Sequence, residues 1–199
     1  MCNNGVRRAS PPPDAVYVDP VPRRRRAFTE GIYHVASHGS DNRELFRKEE
    51  DGVDFLDRLA FVCREYELDL LSYTLMSNHY HALLRIPDSR LSRALQRLHT
   101  EYSRHHNRRH ARSAHLFRAH PFAREIETDE DLAATSRYLA LNPVDAGLAS
   151  DPLDWPWSSA RAHAGLQRAQ IPLDERALRA AFGDGEGWRE RYRAFVVPD

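Results

Sequence analysis

Between the polar connection Met76-Ser77-Asn78 and Pro87, apolar Tyr80, Ala82, Leu84 and Ile86 alternate with His79, His81, Leu83 and Arg85. An extended chain sends successive side chains to opposite faces, so this stretch reads as a strand with two different faces. One face is fit to pack on a core. The other presents two imidazoles, and two imidazoles on one face can hold a divalent metal.

The surrounding periodicities place this strand in a larger pattern. Ile32 to Val35 reads as a short strand, followed by a polar turn through Gly39, Ser40, Asp41 and Asn42. Phe55, Leu59, Val62 and Tyr66 recur at helical spacing, which predicts a helix over 51–66 with Asp51 as its cap. Strands follow over 68–74 and 79–86. Leu91, Leu95, Leu98 and Tyr102 then mark a helix that reaches about Arg109. His115-Leu116-Phe117 and Phe122 to Ile126 supply one or two more strands. Thr128, with Asp131 three residues on, starts a helix expected to stop at Asn142-Pro143. Leu173 to Phe182 and Trp188 to Val197 suggest closing helices, with Trp155 to Ser159 as a packed irregular connection. The order strand, helix, strand, strand, helix, strand is that of an α+β, ferredoxin-like sandwich: an antiparallel sheet with helices on one face.

Three segments are expected. Residues 1–26, with Pro11-Pro12-Pro13 and the run Arg23-Arg24-Arg25-Arg26, are too poor in large apolar groups to offset the entropy of ordering and read as a basic tail. Residues 27–166 are expected to form the main folded domain, the one that the family resemblance below implies to be catalytic, and 167–199 a helical extension. Cys2 and Cys63 have no paired spacing, which argues against a disulfide framework or a cysteine zinc knuckle. With no apolar stretch of membrane-spanning length, a cytoplasmic protein without a membrane partner is expected.

The net charge of +0 conceals an uneven distribution. Between Arg85 and Arg124 stand ten arginines and six histidines against two acids, Asp88 and Glu101, while the flanking segments are acidic. Lys48 is the single lysine. Arginine in such density suits bidentate contact with phosphate, so a polyanion is the natural partner, and Arg104, Arg108 and Arg109 join the 23–26 run as candidate DNA contacts.

Tyr102 lies in the middle of this basic stretch, on the buried stripe of its helix. That position suits either a ring packed on the sheet or a hydroxyl aimed at it. A tyrosine brought to a metal on His79 and His81 can attack a phosphodiester. His105, His106 and Asn107 follow on the adjoining helical face, and spacing does not choose between His106 and Asn107 as a third ligand. An oxygen or amide third ligand favours Mg²⁺ or Mn²⁺; a third imidazole favours zinc.

Several blocks in order now resemble the single-tyrosine HUH transposases, and especially their REP-associated tyrosine transposase branch in bacteria. They are Tyr33-His34-Val35, Asn42 to Phe46, Met76 to Leu84 around His79-Tyr80-His81, Tyr102 with Asn107, His115-Leu116-Phe117, Arg137-Tyr138-Leu139 leading into Asn142 to Leu148, and Trp157-Ser158-Ser159. The pattern departs at His38, where an arginine is common, at Ser77, a frequent proline, and at Ala119-His120-Pro121, a usual Gly-Arg pair. The resemblance implies the ferredoxin-like fold, Mg²⁺ or Mn²⁺ on His79 and His81, and Tyr102 as nucleophile. It further implies cleavage and rejoining of single-stranded DNA near palindromic hairpins through a 5′-phosphotyrosine, by a monomer or homodimer. Two other readings stand beside it: a hairpin-DNA binding protein that does not cut, and a zinc hydrolase using His79, His81 and His105 or His106.

Overall fold

The computed structural model describes residues 28–197, so the leader with Arg23, Arg24, Arg25 and Arg26 lies outside the described residues. Strand β1 (Gly31–His38), helix α1 (Glu49–Glu65), strands β2 (Asp69–Leu75) and β3 (His79–Ile86), helix α2 (Leu91–Arg109) and strand β4 (Phe122–Ile126) follow the expected order. The strands form one sheet in the order β2-β3-β1-β4, with every neighbouring pair antiparallel. This is the ferredoxin-like α+β sandwich.

Alternation builds the main core. Tyr33 and Val35 of β1, Tyr73 and Leu75 of β2, and Tyr80, Ala82, Leu84 and Ile86 of β3 point to one face. There they meet Phe55, Leu59 and Val62 of α1 and Leu91, Leu95, Leu98 and Tyr102 of α2. Both crossover helices therefore lie on the Tyr80 side. Part of the opposite face is covered by α3 (Asp129–Asp145) and α5 (Arg176–Ala181), whose Leu132, Leu139 and Leu178 pack on Leu71, Leu83 and Ile126. The remaining helices, α4 (Ala160–His163) and α6 (Trp188–Val196), join through Ala160, Trp188, Tyr192 and Val196 against Ala140 of α3.

Two local expectations are corrected. Asp51 does not precede α1 but sits in its first turn, where its Oδ2 accepts the backbone N–H groups of Arg47 and Lys48 at 3.0 and 3.1 Å. Helix α3 does start at Thr128, whose Oγ1 accepts the Asp131 N–H at 3.1 Å, but it runs through Pro143 to Asp145. Proline in a last turn forfeits one backbone bond, and here Pro143 is buried and its carbonyl accepts the Leu148 N–H at 2.8 Å. Of the two segments expected to supply one or two strands, Phe122–Ile126 forms one, and His115-Leu116-Phe117 makes a single bridge between Phe117 and Gly39.

The turn after β1 is sterically fixed. A side chain at Gly39 would set its Cβ 2.0 Å from the Arg43 carbonyl oxygen, so only glycine fits. On the far side, Trp157 to Ser159 runs along the outer edge of β2: Leu75 donates its N–H to the Trp157 carbonyl at 2.8 Å, and Ser159 donates to that of Tyr73 at 3.0 Å. An otherwise free sheet edge is thereby paired.

Candidate functional site

The face of the sheet opposite Tyr80 carries a cluster of histidines. Register pairs His38 with His79 and Ala36 with His81, which brings His34 diagonally beside His81. The His38 ring stacks on His79 with centroids 4.6 Å apart. His79 Nδ1 is 2.7 Å from Asn78 Oδ1, an oxygen that can only accept, so Nδ1 carries the proton and Nε2 keeps its lone pair. Asn142 neighbours this ring and tempers the fall in its pKa. His81 Nδ1 lies 2.9 Å from His34 Nε2, and His81 Nε2 is buried without a hydrogen-bond partner among the described residues.

These imidazoles stay neutral. Burial, reinforced by His38, lowers the pKa of His79 to about 4, and burial with His34, His79 and His38 around it holds His81 well below 6.5. Burial with the nearby Arg124 guanidinium brings His34 to about 4. On the other face burial also lowers His99 to about 4, where it bonds the Tyr80 hydroxyl at 2.8 Å. Because each folded pKa lies below the unfolded value of 6.5, the unfolded chain takes up protons first on acidification. This contribution to stability is complete above about pH 6.5 and is lost as pH falls toward 4. Carboxylates such as Asp131 and Asp174, held below 3.8 by Arg124 and Arg176, enter only at lower pH. The melting temperature is therefore expected to fall steadily between pH 7 and pH 5; a flat profile by circular dichroism over that interval would contradict it.

The tyrosine that reaches this cluster is Tyr138. From α3 its ring lies 5.4 Å from that of His81 and 6.0 Å from that of His34, and it is 47% exposed. Asn142, four residues on, shares its helical face because α3 continues past that position. Arg124 of β4 fixes the helix by donating to Asp131 Oδ2 at 2.6 Å and Thr135 Oγ1 at 2.9 Å.

Tyr102 is on the other side of the sheet. It is fully buried among Phe46, Phe55 and Phe117, and its hydroxyl donates to the Leu45 carbonyl at 2.5 Å. Burial, with Asp51 and Asp54 nearby, pushes its phenol pKa up, opposite to what a nucleophile needs. The expectation that Tyr102 meets His79 and His81 is thus corrected: the inward stripe of α2 faces Tyr80. The same geometry removes His106, which is buried beside Asp51 and His110, and His105, which faces Asp54 at 3.9 Å. Asn107 donates to the Ala114 carbonyl at 2.9 Å. None of the three joins the histidine pair. Asn142 lines the groove with the histidine pair instead, and its signal in the sequence was the four-residue spacing from Tyr138.

A broad groove of about 2820 Å³ runs over the cluster, lined by His34, His79, His81, Tyr138 and Asn142 and flanked by Arg93, Arg118 and Arg124. Small-molecule pockets rarely exceed about 1,000 Å³, so the dimensions suit a polymer. Arg104 and Arg108 are exposed outside this lining, and Arg109 is engaged by Asp51 at 2.8 Å. Among the described residues no helix is long and apolar enough to cross a membrane.

The fold is also that of a solved REP-associated tyrosine transposase bound to a REP hairpin, with a TM-score of 0.61 at 15% identity, covering 78% of this chain and 93% of that one. A transposase-like protein from Deinococcus radiodurans aligns at 17% identity with a TM-score of 0.42, over 59% of this chain and 95% of that one. No curated protein matches. The model of a family described as IS200-like transposases matches residues 27–142, a span that opens just before β1 and closes on Asn142. With well over half of its length inside that match, histidine pair and Tyr138 included, the chain belongs to the IS200-like transposase family.

Proposed function

We propose that the chain is a metal-dependent endonuclease and strand transferase for single-stranded DNA, acting beside palindromic hairpins of the REP type. The observation that carries the reading is Tyr138, exposed in a basic groove over His79 and His81, with Asn142 on the same helical face. Neutral imidazoles, the lone buried Nε2 of His81 and an amide oxygen form a donor set that fits Mg²⁺ or Mn²⁺ once phosphate oxygens complete the shell. A divalent cation held by His79, His81 and Asn142 would draw charge from the non-bridging oxygens of a phosphodiester.

The residues supply the rest. Asn78 and His34 fix the two ring orientations, as supporting groups do in metal sites. Arg93 and Arg118 attract the backbone phosphates. The Tyr138 oxygen forms a bond to phosphorus as the bond to the 3′ oxygen breaks. The phenolic proton is balanced by the one gained at the departing 3′-hydroxyl. A 5′-phosphotyrosine remains, and another 3′-hydroxyl reverses the step to join a new strand. The likeness in fold to a protein bound to a REP hairpin supports this class of DNA.

The test is incubation with a single-stranded hairpin oligonucleotide bearing flanking sequence, with and without Mn²⁺. A covalent adduct that requires Mn²⁺ and disappears in His81→Ala is expected. Salt-sensitive hairpin binding with no adduct under any divalent metal would replace the proposal with a non-cleaving binding protein.

A further inference from the structure

We propose that Asp51, His106 and His110 form a second cation site, of the zinc class, that ties the first turn of α1 to the end of α2. The ligand atoms of the three lie within 4.8 Å of one another. His110 Nε2 is already 3.0 and 2.9 Å from the two Asp51 oxygens, close to the roughly 3.3 Å that separates two ligands on one tetrahedral ion with bonds of about 2.0 Å. The rings of His106 and His110 are 4.4 Å apart. They stand four positions apart in sequence, a spacing that places two imidazoles on one helical face.

The observation that points to a ligand is His106. It is fully buried, and neither ring nitrogen has a hydrogen-bond partner among the described residues. A polar ring sealed in this way is costly unless something binds it. Burial, with His110 beside it, keeps this ring neutral, its pKa lowered to about 4, so a lone pair is available. The carboxylate is pre-oriented by the N–H groups of Arg47 and Lys48 and by Arg109, which donates to Oδ1. Two imidazoles with one carboxylate favour Zn²⁺ over Mg²⁺, which prefers oxygen throughout. Coordination through His110 Nε2 displaces the proton that this nitrogen now shares with Asp51, and the ring keeps it at Nδ1. Three protein ligands leave a fourth position on a tetrahedral ion for water. The segment that leaves α2 at His110 carries His115 to Arg118 along the groove, so the ion would brace that rim.

The experiment uses the full chain carrying His79→Ala and His81→Ala, which removes the groove pair and makes the outcome independent of the proposed DNA chemistry. Co²⁺ titration should give one equivalent with the strong visible absorption of a tetrahedral site, displaced by Zn²⁺, and Zn²⁺ should raise the melting temperature. Adding His106→Gln should weaken binding on the order of a hundredfold and remove the thermal shift. If that variant fails to fold, ring ¹⁵N shifts of His106 and His110 in the double variant serve instead, since they should move together on adding Zn²⁺. Absence of Co²⁺ binding in the double variant, binding undiminished by His106→Gln, or ring shifts that do not move would overturn the proposal.

Discussion

Tyr138→Phe is expected to abolish the covalent protein–DNA adduct, lowering strand cleavage by at least about a thousandfold, while hairpin binding persists. The substitution removes one oxygen from a half-exposed ring beside His81, so neither the α3 core nor the groove's charge changes. Tyr102→Phe is expected to do the reverse. Its hydroxyl serves the Leu45 carbonyl, and losing that bond costs about 1–2 kcal/mol of stability, with adduct formation intact in the folded protein. Denaturing electrophoresis of both variants with labelled hairpin DNA decides between them. An adduct that survives in Tyr138→Phe and vanishes in a well-folded Tyr102→Phe would reverse the assignment.

The second large effect is on stability. Asp51 is buried and serves the Arg47 and Lys48 N–H groups, Arg109 and His110 together. Alanine there leaves these donors without their acceptor, though not equally. Arg109 is partly exposed and has Asp54 at 3.9 Å, so it relaxes at little expense. The lost support of the first turn of α1 costs about 1 kcal/mol, and the stranded His110 about 1–3 kcal/mol, for roughly 2–4 kcal/mol in all. For a domain of this size that is a drop on the order of 5–15 °C in melting temperature. A calorimetric midpoint within a degree of the parent would show that the network contributes nothing.

Much of this architecture can be read from periodicity. The two-residue alternation of 79–86 gave β3 its bounds and its two faces, and the stripe Leu91, Leu95, Leu98, Tyr102 gave α2 its inner side. These two facts together already separate Tyr102 from His79 and His81. An inward stripe packs on the apolar face, and the histidines are on the other. Missing from one dimension was the return of α3 across the sheet, because nothing local says which face a helix after the last strand will cover. Pro143 compounded this, since a helix ended at Asn142 leaves its side chain without a defined direction. The Asp51–His106–His110 group was also hidden, its carboxylate and imidazoles lying more than fifty residues apart in sequence.

The way α3 is anchored has a kinetic consequence. Its apolar side is packed on Leu71, Leu83 and Ile126, and Arg124 holds its first turns, all within one chain. Under the proposed assignment, nucleophile, imidazoles and amide are therefore assembled by folding alone. The initial cleavage rate would then scale with the first power of protein concentration, and dilution would slow encounter with DNA without dismantling the reactive centre.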